Sequence, residues 1–160
     1  MWLVLALSIA FGAEHPDFTG SWVLDAAASD SADALLAAWG VPWVQRQAVK
    51  AMSPTQTITV EGDTLTLVID VTVLVRTETL KLDGSPQVST TLSGAPATTR
   101  SGWEGATLVS RTESVRSDGQ MVTLVASRTL EQEGAVMRQR LELVQADGVV
   151  LKADRVFRKR

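Results

Sequence analysis

Apolar and polar residues alternate along most of this chain. In the stretch 149–158, Val149, Leu151, Ala153, Arg155 and Phe157 share one parity, and Lys152, Asp154, Val156 and Arg158 share the other. In 120–131, Val122, Leu124, Ala126, Arg128 and Leu130 share one parity, and Thr123, Val125, Ser127 and Thr129 the other. Successive side chains of a strand point to opposite faces, so each apolar parity marks an inward face. Turn signals separate these stretches: Glu61-Gly62-Asp63, Asp83-Gly84-Ser85-Pro86, Ser93-Gly94-Ala95-Pro96, Glu104-Gly105, Ser117-Asp118-Gly119, Glu133-Gly134 and Asp147-Gly148. Runs rich in Val, Thr, Leu and Ile between regular turns predict a meander of antiparallel strands. Ten are expected, over 18–25, 56–61, 64–70, 72–82, 86–92, 96–103, 106–116, 120–131, 135–145 and 149–158.

Residues 29–52 break the pattern, with many Ala and Leu and few β-branched residues. Asp30 or Ser31 is placed to N-cap a helix through Ala34, Leu35, Leu36 and Ala38, and Gly40 to end it. A second helix is expected from Trp43 to Ala51, stopped before Pro54. The fold class that follows is all-β: a ten-stranded antiparallel up-and-down β-barrel, capped by a short helix-turn-helix between strands 1 and 2. Closure into a barrel removes the exposed edges that so many strands would otherwise carry.

The chain begins differently again. Trp2 to Phe11 is apolar apart from Ser8, too short to span a bilayer, and is followed by small residues. This reads as a signal peptide over 1–13, ahead of one barrel domain over 14–160. Cleavage after Ala10 or after Gly12 fits the small-x-small rule, and cleavage after Ala13 fits it less well. The other reading of the same run is a buried N-terminal strand. With the leader, the mature protein is expected to be exported, periplasmic or secreted, and soluble after signal removal.

Composition narrows the chemistry. The 160 residues contain no Cys, which excludes disulfides and thiolate metal sites, and a single His, His15. The formal net charge of −3 argues against a nucleic-acid partner, which usually leaves a basic footprint. No Gly-rich phosphate loop, His-rich metal cluster or Ser-His-Asp set independent of His15 is present in the sequence, so neither a cofactor nor a metal is expected. His15 reads as a solvated terminal residue, Trp22 as core at the closed end of the barrel, Trp103 as barrel packing, and Trp39 and Trp43 as parts of the helical lid. Lid aromatics serve packing, a ligand portal or transient membrane contact.

Two arginines on apolar parities stand out. Arg128 and Arg155 belong to different strands, whereas Arg138 and Arg140 alternate with Met137, Gln139 and Leu141 and should face solvent. An inward arginine either reaches a barrel end or an internal carboxylate, or anchors a ligand. Its planar fork suits a carboxylate.

Read in order, several segments resemble the intracellular lipid-binding proteins, the family of fatty-acid-binding and cellular retinoid-binding proteins within the calycin superfamily. Phe18-Thr19-Gly20-Ser21-Trp22-Val23-Leu24 resembles the family's first strand, although Gly-x-Trp is shared with lipocalins. Ala34 to Val41 resembles the first lid helix, and Gln45-Arg46-Gln47 falls where the second commonly carries an Arg. Pro54 to Asp63 resembles the second strand and its turn, Arg76-Thr77-Glu78 the fourth strand, and Ser93 to Glu104 the sixth. Ser127-Arg128-Thr129-Leu130 with Gly134 resembles T-R-x-L…G, and Arg155-Val156-Phe157 the closing R-V-Y or R-V-F. The resemblance implies a carboxylate-holding role for Arg128 and Arg155, with Phe157 standing where a Tyr hydroxyl is usual. The stretch before the first helix and the last hairpin are both longer than in the family, which is mostly cytosolic.

The expected function is therefore non-covalent binding, and carriage or buffering, of a fatty acid or retinoid-like carboxylate by a monomeric, non-enzymatic barrel. The alternative is a lipocalin-like exported protein with a protein-partner or envelope role and a small or filled cavity. An enzyme on the same scaffold would need a perturbed acid or base in the cavity besides the arginines.

Overall fold

The computed structural model describes residues 14–72 and 74–160. The expected signal peptide lies outside the described residues. Ten strands and two helices follow in chain order: β1 Gly20–Leu24, α1 Asp33–Ala38, α2 Trp43–Ala51, β2 Thr55–Glu61, β3 Thr64–Asp70, β4 Val75–Lys81, β5 Gln87–Thr90, β6 Pro96–Glu104, β7 Thr107–Val115, β8 Met121–Glu131, β9 Val136–Val144 and β10 Val150–Lys159. The strands form one antiparallel sheet in the order β4-β3-β2-β1-β10-β9-β8-β7-β6-β5. Pairing of β1 with β10, through Trp22–Lys159 and Leu24–Phe157, joins the two ends of the chain and curls the sheet into a nearly closed barrel.

The meander expected from the alternation is present, with two edge strands shorter than expected. β4 starts at Val75 rather than at 72, and just before it the Val71 N–H donates to the Leu74 carbonyl at 3.0 Å. β5 spans four residues. These two strands face each other across the seam and share no ladder. Side chains and one isolated backbone bridge, Asp83–Gly102, fasten the seam instead. The Gln87 amide accepts from the Lys81 N–H at 2.8 Å and donates to the Lys81 carbonyl at 3.1 Å. Further along, Arg76 donates to the Thr90 carbonyl.

Side-chain parity sorts the core into two clusters. One fills the closed end, with Phe18, Trp22, Leu65, Leu108, Met137 and Phe157. There the Trp22 indole donates to the Phe18 carbonyl at 2.9 Å. The other cluster seats the helices, with Leu35, Leu36, Trp39 and Val41 against Val122, Leu143 and Ala153. Val125 and Val156 are buried although they lie on outward parities. Long neighbours flank them in register, Arg111 and Glu142 beside Val125 and Arg138 beside Val156, and their aliphatic stems cover apolar surface.

The expected N-cap of α1 is corrected. The cap residue is Ala32, with no side-chain cap bond. Asp30 is drawn away to β10, where its carboxylate accepts from the Asp154 N–H at 2.9 Å, and Ser31 Oγ accepts from the Asp33 N–H at 3.3 Å. The C-terminal end is as expected. Gly40 has φ +93, and the Gly40 and Val41 N–H groups donate to the Ala37 and Leu36 carbonyls at 3.0 and 2.9 Å. This is a Schellman motif, with Val41 and Leu36 supplying its apolar contact. Arg46 of α2 ties the helices together, donating to Asp33 at 3.1 Å and to the Val41 carbonyl at 2.8 Å.

Candidate functional site

Between the two clusters lies a cavity of about 210 Å³. Leu35, Leu36, Val41 and Val49 of the lid region form its upper wall, and Leu67, Ile69, Leu124, Leu141 and Phe157 much of the barrel wall. Polar groups break this lining at a few places. Ser110, Thr99 and Thr112 face it from β6 and β7, with Thr99 and Thr112 hydroxyls 2.9 Å apart.

Arg128, Gln139 and Arg155 stand in one row across β8, β9 and β10, since Gln139 is the register partner of both arginines. All three line the cavity. The two guanidinium groups nevertheless go to different places. Arg128 is only 3% exposed, and its Nε donates to Gln56 Oε1 at 3.3 Å. Gln56 Nε2 in turn donates to Gln139 Oε1 at 3.2 Å across the barrel. Among the described residues, no carboxylate forms a salt bridge with Arg128. Burial pushes its guanidinium down to about 10, with the Glu78 charge acting in the opposite sense. Arg155 is half-buried, and its Nη1 donates to the Asp30 carbonyl at the turn before α1, at 3.0 Å. Burial lowers its pKa as well, opposed by Asp30. Phe157 is buried on the cavity wall, on the same inward parity of β10 as Arg155.

The wall carries a second charged pair. Arg76 and Glu78 project inward from β4 and form a salt bridge. Three arginines and one glutamate therefore line the cavity, a net positive interior. At the lid end, Trp39 Nε1 and Gln45 Oε1 are the two buried side-chain polar atoms without a partner among the described residues. Each unsatisfied group of this kind costs about 1–3 kcal/mol.

Other aromatic expectations divide. Trp22 is fully buried core and does not line the cavity. Trp39 packs under the lid, whereas Trp43 is 64% exposed. Trp103 is half-buried on β6, and His15 is exposed as expected yet stacked on it, with ring centroids 4.2 Å apart.

No family model and no curated protein matches the chain. Solved structures do. Apo lipid binding protein 8 of Caenorhabditis elegans superposes with a TM-score of 0.74 at 21% identity, over 89% of this chain and 95% of that one. The Schistosoma mansoni fatty acid binding protein in complex with arachidonic acid gives 0.71 at 24% identity, over 89% and 96%. The fatty-acid-binding protein from brain tissue of Drosophila melanogaster gives 0.68 at 26% identity, over 89% and 99%. The chain has the fatty-acid-binding-protein fold. Within that fold, sequence reasoning located Arg128, Arg155 and Phe157 on the cavity wall but missed Arg76, Glu78 and Gln56. Alternation does not decide for the first two, since β4 offers only Leu80 on their phase and Val75 on the other.

Proposed function

We propose that this barrel binds a fatty acid or similar long-chain carboxylate non-covalently and carries or buffers it. The carboxylate sits against Arg128, with Arg155 nearer the lid and the Phe157 ring beside the head group. The apolar tail fills the space under the helices. One observation carries the reading: a buried guanidinium faces an apolar cavity with a single neutral protein partner. A charge in that position is costly until an anion joins it, and a carboxylate matches its fork. Each buried methylene contributes about 0.8 kcal/mol, so the tail supplies most of the affinity and the arginines select the head group. The open apolar cavity favours this reading over a filled barrel whose role lies in a protein partner. The neighbours of this fold, themselves lipid-binding and fatty-acid-binding proteins by name, support lipid binding in general. We infer further that the chain is exported, from its apolar N-terminal run, and that exposed Trp43 and Val44 on α2 make transient membrane contact during ligand transfer.

The test compares a long-chain acid with the corresponding alcohol, titrated against the wild type, Arg128→Gln and Arg155→Gln. A buried charge-assisted bond contributes about 1.5–3 kcal/mol, so Arg128→Gln should weaken the acid roughly ten- to a hundred-fold and the alcohol much less. Arg155→Gln should have the smaller effect, because its guanidinium is half-exposed. Equal losses for acid and alcohol, or none for either, would make these arginines structural and remove the assignment.

A further inference from the structure

We propose that the lid end of the cavity is a second polar subsite, built from Trp39 Nε1 and Gln45 Oε1, which takes a hydroxyl on the distal part of the ligand. The ligand class it favours is a hydroxylated long-chain carboxylate rather than a plain one. This rests on the reading that the head group lies at Arg128, and it adds what the far end of the chain meets.

Trp39 caps α1 at its C-terminal end and Gln45 lies in α2. Both side chains line the cavity, and Trp39 is 9% exposed. Across the described residues, the buried polar side-chain atoms left without a partner number two, and both are here. They are of opposite kind. An indole N–H only donates, and an amide oxygen only accepts. A hydroxyl does both, so it is the small neutral group that answers either atom. A methylene satisfies neither. A second carboxylate accepts from Trp39 but sets its charge against the Gln45 oxygen. An ammonium answers Gln45 alone. The complement of this pair is therefore a neutral donor and acceptor in one small group.

The spacing suits the distal part of a long chain. Trp39 belongs to the cluster that includes Val122, with Leu124 packed against it, and Arg128 lies further along the same strand. At about 3.4 Å per residue, Leu124 and Arg128 are roughly 14 Å apart, which places the subsite well down the alkyl chain from the head group. The wall between is apolar on β8 and β9, with Leu124, Ala126 and Leu141, and carries the Ser110 and Thr112 hydroxyls on β7.

Oleate and ricinoleate, which differ by one mid-chain hydroxyl, are the probes. In a purely apolar tunnel the hydroxyl is a handicap, because burying it without a partner is unfavourable. With the subsite, the wild type should bind ricinoleate about tenfold more tightly than oleate. Trp39→Phe keeps the ring and removes the N–H, and Gln45→Leu removes the acceptor. In each variant the preference should vanish or reverse. The ketone obtained by oxidising the ricinoleate hydroxyl accepts without donating, and should gain less than ricinoleate does. A wild type that prefers oleate, a preference kept in both variants, or a ketone equal to ricinoleate would each overturn the subsite. Oleate binding is the control that separates the two ideas. If oleate binds but ricinoleate gains nothing, only the subsite falls; if neither binds, the carboxylate reading falls with it.

Discussion

At the scale of single residues, the decisive group is Arg128. It is charged inside an apolar barrel, and its depressed pKa has a direct meaning for stability. Burial lowers it from the ordinary arginine value to about 10, a handicap on the order of 3 kcal/mol for the empty protein at neutral pH. Arg128→Met should therefore stabilise the ligand-free barrel by about 1–3 kcal/mol in urea denaturation while abolishing its discrimination between acid and alcohol. The pH dependence has a fixed sign. The folded-state pKa lies below the unfolded one, so from about pH 10 up to the ordinary arginine range the unfolded chain holds more protons. Wild-type stability should rise relative to Arg128→Met as pH climbs through that window, and the gap between the two should be constant below it. A gap that widens with alkaline pH would contradict a desolvated charge. Arg128 was legible in the sequence because four apolar residues share its parity on β8. Arg76 and Glu78 were not, because β4 has only Leu80 as an apolar partner on the inward parity and exposed Val75 on the other. With so few apolar residues, alternation does not say which face is which. The bond from Arg128 to Gln56 spans 72 residues of sequence, and no local pattern encodes it.

Among the elements, the helical lid is the one whose motion matters. α1 and α2 are short and stay in place through the Schellman turn at Gly40, the Arg46 staple and the apolar cluster beneath them. The cluster closes the cavity from above, so a ligand entering there has to lift the lid. A disulfide engineered between α1 and β10 is clean to read in a chain without native cysteines. Formation of that bond should slow ligand exchange severalfold in stopped-flow displacement while changing equilibrium affinity less. Exchange at an unaltered rate with the bond formed would exclude a portal at the lid. The helices themselves were readable, α2 to the residue, because Pro42, Pro54 and Gly40 punctuate them. The start of α1 was misplaced because its capping candidates serve other partners. The Asp30 carboxylate is used on β10, a contact 124 residues away.

For the whole molecule, the order of strands was legible from turns and alternation alone, since every consecutive pair of strands except β4 and β5 shares a ladder. The pairing of β1 with β10 follows from closure rather than from any local signal. Export belongs to this scale too. When the protein is made in a host that recognises the leader, its intact mass should lack the first 10 to 13 residues; a full-length product under those conditions would leave the barrel intracellular. The seam between β4 and β5 has a consequence of a different kind. Elsewhere the barrel is held by backbone ladders that no single substitution removes. Here closure rests on the Gln87 amide, the Arg76 guanidinium and a single backbone bridge between Asp83 and Gly102. An unfastened seam leaves two strand edges with unpaired backbone groups, the template from which chains polymerise. Gln87→Ala should speed hydrogen exchange at the Lys81 amide and make the protein associate with rising concentration in light scattering. A variant that remains monomeric at every concentration would mean the edges are guarded by something else. One glutamine side chain then helps separate a closed barrel from one that associates through its edges.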